Sequence, residues 1–203
     1  MSGPITVYTV GHSTHTAEKF LELLERNGVT AVADVRSSPF SRHNPQFNKD
    51  TLSAELKKHG IAYVFVGKEL GARSEDPACY TGGRVRYDLL ARTPMFEAGI
   101  ERVLSGAKKY RIALMCSEKE PLDCHRTLLV GRALERLGVS IIHILSDGGT
   151  EAHPQTMARL LALVGLPLVD MFRNHDELVQ MACELRERKI AYVDEALRNQ
   201  ERV

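Results

Sequence analysis

The stretch Tyr110–Arg126, Y-R-I-A-L-M-C-S-E-K-E-P-L-D-C-H-R, contains a short apolar run followed by a polar loop. Beyond it, apolar residues recur at helical spacing as far as Gly138. This order predicts a strand that ends near Cys116 and a helix that begins near Asp123 or Cys124. The junction therefore places two thiols, an imidazole and a guanidinium where free backbone N–H groups and the helix dipole favour anions and lower the pKa of a thiol.

The same order of helix, glycine and strand occurs three times along the chain. Asn27-Gly28-Val29, His59-Gly60-Ile61 and Leu137-Gly138-Val139 each put glycine directly before a β-branched residue. Glycine adopts the left-handed backbone conformation that ends a helix. Repeated strand–helix–strand units predict parallel strands with right-handed crossovers, and the mostly continuous apolar strands predict helices on both faces. We therefore expect an α/β fold: a doubly wound, Rossmann-like, mostly parallel sheet.

Five strands are expected in this sheet, at Ile5–Val10, Val29–Val35, Ile61–Val66, Tyr110–Met115 and Ser140–Leu145. Gly67–Tyr87 is expected to be a long irregular insertion, which in a compact domain is usually functional or mobile. Residues 1–165 are predicted to form the α/β domain. Residues 166–203 are predicted to form a C-terminal helical extension, with a helix over roughly Asn174–Gln200. The extension would pack on the domain or on a second subunit, which leaves a homodimer open.

Composition limits the classes of function. The formal net charge of +1 provides no overall field for nucleic acid or an anionic membrane, so any basic site must be local. No apolar run approaches the ~18 residues of a membrane span, and Met1–Val10 lacks the pattern of a secretory leader. The four cysteines include no C-x-x-C pair. Together these features predict a cytoplasmic protein without a structural disulfide framework.

In open parallel sheets, ligands bind at the carboxyl ends of the strands. The residues that follow the predicted strands are polar and reactive, and the two long loops add more at the same edge. The catalytic candidates are His12, Asp34, Cys116, Glu118, Cys124 and His125, and the ligand-binding candidates are Gly11, Ser13, Arg36, Arg42, Tyr87 and Arg126. An edge rich in arginine and histidine predicts a site for a small anionic ligand such as a phosphorylated one.

Four of these motifs together resemble a known family. Thr9-Val10-Gly11-His12-Ser13, Asp34-Val35-Arg36 with Ser38-Pro39, Glu69-Leu70-Gly71, and Cys116-x-Glu118-x5-Cys124-His125-Arg126 look like the bacterial and archaeal family called domain of unknown function 488. The similarity runs from about Ile5 to Leu145. Ala72 stands where many members of the family carry a second glycine. The resemblance implies an α/β fold and the same residues at the edge of the sheet, and it implies no reaction.

Three hypotheses of function follow. The leading one is an enzyme that acts on a nucleotide-like or other phosphorylated anion, which Arg36 and Arg126 would bind. One of Cys116 and Cys124 would be a nucleophile or redox thiol, and His12 or His125 would be the general acid or base. The alternatives are a nucleic-acid-binding accessory protein that uses the loop residues Arg42, His43, Arg73, Arg84 and Arg86, and a redox sensor in which the two cysteines pair.

Each candidate also has a structural interpretation. Cys116 and Cys124 could be inert buried thiols, Asp34 and Arg36 a simple ion pair, and His12 with Ser13 only turn residues. His143 and His153 have no partner close in sequence and are expected to be structural. A zinc site formed by Cys116, Cys124, His125 and a distant fourth ligand lacks the usual paired spacings, so no residue is assigned to a metal. The cofactor and the substrate stay open.

Overall fold

The computed structural model describes residues 5–200 of the chain. Within these residues eight strands form: β1 (Thr6–Gly11), β2 (Ala31–Asp34), β3 (Ala62–Phe65), β4 (Tyr80–Thr81), β5 (Arg84–Val85), β6 (Ile112–Cys116), β7 (Ser140–Ile144) and β8 (Thr150–Ala152). The α-helices in the same part of the chain are α1 (Ala17–Arg26), α2 (Lys49–Lys58), α3 (Gly67–Leu70), α4 (Tyr87–Leu90), α5 (Pro94–Ala107), α6 (Arg132–Arg136), α7 (His153–Val164), α8 (His175–Ile190) and α9 (Glu195–Gln200). None of the helices described is long and apolar enough to cross a membrane.

The central sheet has the order β3-β2-β6-β1-β7-β8. Its first five strands are parallel, and β8 joins the edge antiparallel to β7. The predicted α/β fold is confirmed, with six strands in the sheet rather than five. The sixth escaped prediction because β8 has only three residues, Thr-Glu-Ala, and no apolar pattern. It owes its conformation to pairing with β7 and not to its own composition.

Helices cover both faces of the sheet and bury a separate apolar layer on each. On one face α1 packs Phe20, Leu23 and Leu24 against the sheet. Thr16 begins this helix by accepting a hydrogen bond from the Lys19 amide, and Gly28, with φ of 61°, lies beyond its end as predicted. The other face is covered by elements that include α5, α7 and α8.

The long insertion after β3 is more ordered than the sequence suggests. It begins with α3, continues through a 3₁₀ turn at Pro77–Cys79, and forms the antiparallel pair β4–β5 before α4. The prediction of an irregular segment over Gly67–Tyr87 was therefore wrong. Its structure depends on contacts with the C-terminal segment, which lies far away in sequence.

The predicted helix over Asn174–Gln200 is interrupted between α8 and α9. Tyr192 and Asp194 pair through their backbones with Val85 and Gly83, at N···O distances of 3.0 and 2.7 Å. This pairing holds the chain extended where helical periodicity alone would continue. The apolar side of α8 joins the core of the α/β unit through Leu178, Val179, Ala182 and Cys183. Residues 1–4 and 201–203, which the two predicted units include, lie outside the described residues.

His143 and His153 are partners of each other. His143 Nε2 lies 2.9 Å from His153 Nδ1, and Thr9 Oγ1 lies 2.8 Å from His143 Nδ1. Both rings are almost completely buried, which lowers the pKa of His143 to about 2 and that of His153 to about 4. The two histidines were expected to be structural, and the buried pair agrees with that role. Sequence alone did not show that they contact each other, because β7 and α7 bring together residues ten positions apart.

This pair predicts that the protein loses stability in mild acid. The unfolded chain protonates each imidazole near its ordinary pKa of 6.5, whereas the folded protein keeps both neutral to much lower pH. The unfolded state thus binds more protons below pH 6.5, so the free energy of unfolding falls as the pH falls. We expect a loss of about 2 kcal/mol per imidazole between pH 7 and pH 5.

Urea unfolding at pH 7 and pH 5 measures this loss. His153→Gln should flatten the pH dependence, whereas His43→Gln, at an exposed loop position, should leave it unchanged. An equal slope in the wild type and His153→Gln would contradict the assignment.

Candidate functional site

Four potential ligand side chains converge at the carboxyl end of β6. Cys116 ends the strand, Glu118 lies in the following loop, and Cys124 and His125 precede the next helical segment. One ligand atom of each, sulfur, carboxylate oxygen or ring nitrogen, lies within 4.8 Å of all the others. We call these four residues the thiol–imidazole cluster. Cys116, Cys124 and His125 are buried, whereas Glu118 is exposed at the residue level.

Local backbone structure places the second half of the cluster. A 3₁₀ turn at Pro121–Asp123 is followed by Cys124 in an extended conformation and then by a π-helix over Arg126–Gly131. The helical residues begin at His125, which agrees with the predicted start near Asp123 or Cys124. The Cys124 carbonyl accepts hydrogen bonds from the Thr127 and Leu128 amides, and its Sγ accepts one from the Arg126 amide at 3.4 Å. Cys124 therefore acts as the cap of this helical segment.

The ring of His125 is held in one orientation by the backbone. Its Nε2 lies 3.0 Å from the Val35 carbonyl, which can only accept a hydrogen bond. Nε2 therefore carries the proton, and Nδ1 points to the two sulfurs, at 3.6 Å from Cys116 Sγ and 3.9 Å from Cys124 Sγ. In the neutral ring, the lone pair of Nδ1 is directed into the cluster.

The two thiols differ in acidity. Burial, followed by the hydrogen bond with Cys124, raises the pKa of Cys116 well above its ordinary value. Burial also opposes ionisation of Cys124, but the hydrogen bond from Cys116 and the charge of Arg126 hold its pKa well below the ordinary value. Partial burial and the nearby Cys124 raise the pKa of Glu118, whose Oε2 lies 3.0 Å from Cys124 Sγ. Of the two thiols, Cys124 is therefore the more readily ionised.

Arg126 has a different role from the one predicted. Its side chain is completely buried, and NH1 donates a 2.6 Å hydrogen bond to the Glu118 carbonyl. The same carbonyl passes so close to Gly11 that a Cβ there would lie 1.9 Å from its oxygen. Gly11 and Arg126 therefore hold the loop that carries Glu118, and neither faces the pocket described below. Binding of a ligand anion by these two residues is not supported.

Asp34, Arg36 and His12 form a buried network beneath the site. Arg36 pairs with both carboxylate oxygens of Asp34, at 2.9 and 2.6 Å, and its NH1 lies 3.2 Å from His12 Nε2. Because arginine only donates, His12 Nε2 accepts and its Nδ1 donates to the Ser13 carbonyl. Burial, together with the charge of Arg36, lowers the pKa of His12 to about 4. The structural interpretation of this ion pair fits the geometry better than a catalytic acid or base.

Helices α7 and α8 fix the loop of residues 117–123, which joins the two halves of the cluster. In α8, Arg186 forms an ion pair with Asp123, and its Nε donates to the Leu122 carbonyl at 3.2 Å. Arg159 of α7 pairs with Glu120 at 2.8 Å. Both contacts join residues more than 35 positions apart in the chain. Arg186 belongs to the predicted extension, which therefore contributes directly to the geometry of the site.

A cavity of about 460 Å³ opens beside the cluster. Cys116, Glu118 and His125 of the cluster line it with Arg36 and Tyr87. The other lining residues come from the two long loops, from the loop after β6 and from the C-terminal segment: Ser37, Ser38, Phe40, Ser41, Ala72, Arg73, Ser117, Asp123, Ile190 and Tyr192. Of the predicted ligand-binding residues, only Arg36 and Tyr87 line this cavity, whereas Gly11, Ser13, Arg42 and Arg126 do not.

The basic loop residues are dispersed or paired. Arg84 donates to the Arg188 carbonyl, and Arg86 forms ion pairs with Asp88 and Glu187. Arg73 faces the cavity and stacks on Tyr192, with its guanidinium carbon 4.6 Å from the ring centre. A continuous basic surface for nucleic acid is therefore not favoured by these positions.

Arg73 and the serines of the cavity were missed as site residues by sequence reasoning. Arg73 was recognised only as one of several basic loop residues. Serines carry no spacing signal, and the approach of Tyr192 depends on the pairing of the C-terminal segment with β5. One feature of the sequence did indicate Glu118 as the fourth member of the cluster, namely its position two residues after Cys116.

A family model described as "Domain of unknown function DUF488" matches residues 16–133 of the chain. This range includes the whole cluster, Arg36 and Arg73, and it ends within α6. No curated protein and no solved structure matches the chain.

The contact between Gly11 and the Glu118 carbonyl predicts a large cost for Gly11→Ala. The added methyl group would overlap a backbone oxygen that cannot rotate away. We expect a loss of at least about 3 kcal/mol in the free energy of unfolding, measured by urea denaturation. Gly138→Ala is the matched control, since its Cβ meets nothing within 4 Å and only the φ of 78° is strained. It should cost about 1 kcal/mol. Equal costs would show that the contact is not tight.

Proposed function

This chain belongs to the family described as domain of unknown function DUF488, as its motifs predicted, and we propose that it is an enzyme acting on a small phosphorylated anion in the cavity beside the thiol–imidazole cluster. The observation that carries the proposal is that one cavity is lined both by a cationic side chain with hydroxyl groups and by members of the reactive cluster. The first set is Arg73 with Ser37, Ser38 and Ser41, and the second is Cys116, Glu118 and His125.

Arg73 is the residue best placed to bind the anion. Arg36 also lines the cavity, but Asp34 already neutralises its charge. Among the residues described, Arg73 forms no ion pair, so its charge is free for a ligand. Its backbone amide donates to Ser37 Oγ at 3.1 Å, which ties the two loops together at this end of the cavity. An arginine with adjacent hydroxyl groups suits a phosphate group.

The size and the aromatic residues favour a nucleotide-like substrate over inorganic phosphate. A volume of about 460 Å³ is in the range of sites for small organic ligands. Phe40 and Tyr192 line the cavity and offer aromatic faces on which a base could stack. Tyr87, whose pKa is raised by burial, presents a neutral hydroxyl group. The carboxylates of Glu118 and Asp123 also line the cavity and would repel phosphate, so we expect the anion beside Arg73 and the serines.

Ligand binding by wild type, Arg73→Ala and Arg42→Ala tests this proposal. Arg42 is an exposed arginine of a neighbouring loop that does not line the cavity, which makes it a matched control. We expect mononucleotides or pyrophosphate to raise the melting temperature of the wild type and Arg42→Ala. Arg73→Ala should bind roughly 10- to 100-fold more weakly, since a hydrogen bond to a charged group contributes about 1.5–3 kcal/mol.

Two results would count against the proposal. An equal loss of affinity in both arginine variants would indicate a general charge effect rather than a site. Absence of any shift in the wild type across nucleoside mono-, di- and triphosphates and pyrophosphate would remove the phosphorylated substrate.

A further inference from the structure

We propose that the thiol–imidazole cluster is a zinc-binding site, with Cys116, Cys124 and His125 as buried ligands and Glu118 as the exposed ligand. Sequence spacing gave no reason to assign a metal, because the fourth ligand was expected to be distant. This inference concerns the same cavity as the proposed function, but it does not depend on the nature of the substrate.

The distances within the cluster match a tetrahedral zinc ion. With Zn–S bonds of about 2.3 Å and Zn–N bonds of about 2.0–2.1 Å, a sulfur and a nitrogen ligand lie about 3.6 Å apart. Cys116 Sγ and Cys124 Sγ lie 3.6 and 3.9 Å from His125 Nδ1. The Glu118 Oε2 to Cys124 Sγ distance of 3.0 Å is somewhat short, and Glu118 has the exposed, adjustable side chain of the four.

The orientation of His125 is the one that metal ligands adopt. A histidine ligand usually donates its second ring N–H to a carbonyl or carboxylate, which fixes the tautomer and directs the other nitrogen to the metal. His125 Nε2 does this with the Val35 carbonyl, and Nδ1 faces both sulfurs. Val35 follows β2, so the outer hydrogen bond comes from the strand next to β6.

No cationic side chain among the described residues forms an ion pair with the carboxylate of the cluster, Glu118. Two thiols, one carboxyl group and the lone pair of a ring nitrogen converge in the cluster. Arg126 is close, but its NH1 and NH2 donate to the Glu118 and Lys119 carbonyls. A divalent cation would satisfy all four ligands at once. Two sulfurs with one imidazole and one carboxylate favour zinc over hard cations such as magnesium or calcium.

The site borders the cavity, because Cys116, Glu118 and His125 all line it. Structural zinc sites are closed by four protein ligands, whereas catalytic sites keep a position for water or substrate. With all four residues bound, the site proposed here is of the closed kind. Release of Glu118, the exposed ligand of the four, would open a position toward a substrate bound by Arg73.

Cobalt substitution of the full chain tests the assignment. After chelation under reducing conditions, Co²⁺ titration should give one equivalent bound, with the thiolate-to-cobalt absorption and the intense d–d bands of a tetrahedral site. Zn²⁺ should displace it with the same stoichiometry. Cys116→Ala and Cys124→Ala should bind at least about 100-fold more weakly, with a reduced charge-transfer band. Cys79→Ala and Cys183→Ala, which change buried cysteines outside the cluster, should retain the spectrum.

The outcomes separate the alternatives. Absence of the charge-transfer band in folded wild type, checked by circular dichroism, would overturn the zinc site, as would an equal loss in the control variants. Intact mass showing that the reduced, metal-free chain loses two hydrogens with mild oxidant, together with no cobalt binding, would assign the cysteines to a redox pair instead. Arg73→Ala should retain the cobalt spectrum, because Arg73 lies outside the cluster. Failure of the wild type to bind any phosphorylated ligand, with an intact cobalt spectrum, would refute only the proposed function.

Discussion

The hydrogen bond from Arg126 NH1 to the Glu118 carbonyl, made above Gly11, is the contact on which the rest of the site depends. It turns the chain after β6 back across the end of β1, and it uses a completely buried guanidinium to do so. A buried arginine is costly unless its donors are occupied. The Glu118 and Lys119 carbonyls accept from NH1 and NH2, whereas Nε has no partner among the described residues, so the loop is held by the two terminal nitrogens. Glu118 and Cys124 are brought to 3.0 Å from each other as a consequence.

The residues that follow strands β1 and β2 hold the cluster through further hydrogen bonds. Val35, after β2, fixes the tautomer of His125, and the Cys116 carbonyl accepts the His12 amide at the end of β1. The Asp34–Arg36–His12 network then fills the space under the cavity with groups that satisfy one another. These residues resemble catalytic groups in the sequence because they are polar and follow strands. Their hydrogen bonds indicate that they position the reactive residues instead.

The C-terminal segment belongs to the site as much as to the fold. Arg186 of α8 holds the turn before Cys124, and Tyr192 both pairs with β5 and stacks on Arg73. The cavity is therefore assembled from both long loops, the end of β6 and the last described helices. A metal centre at one end and an arginine at the other, as proposed, would allow such a cavity to bind an anion and activate a group on it.

The sequence by itself determined the α/β class, the five parallel strands and the edge of the sheet at which the candidate residues lie. It could do so because apolar periodicity and helix-ending glycines act over short distances along the chain. It also indicated Cys116, Glu118, Cys124 and His125. Only the tertiary structure decided which arginine keeps an unpaired charge at the cavity, since Arg36 and Arg126 differ from Arg73 in their partners and not in their type. The pairing of His143 with His153, the edge strand β8 and the break after α8 were likewise set by neighbours distant in the chain. Such contacts leave no periodic signal, because each depends on where the folded backbone brings two segments together.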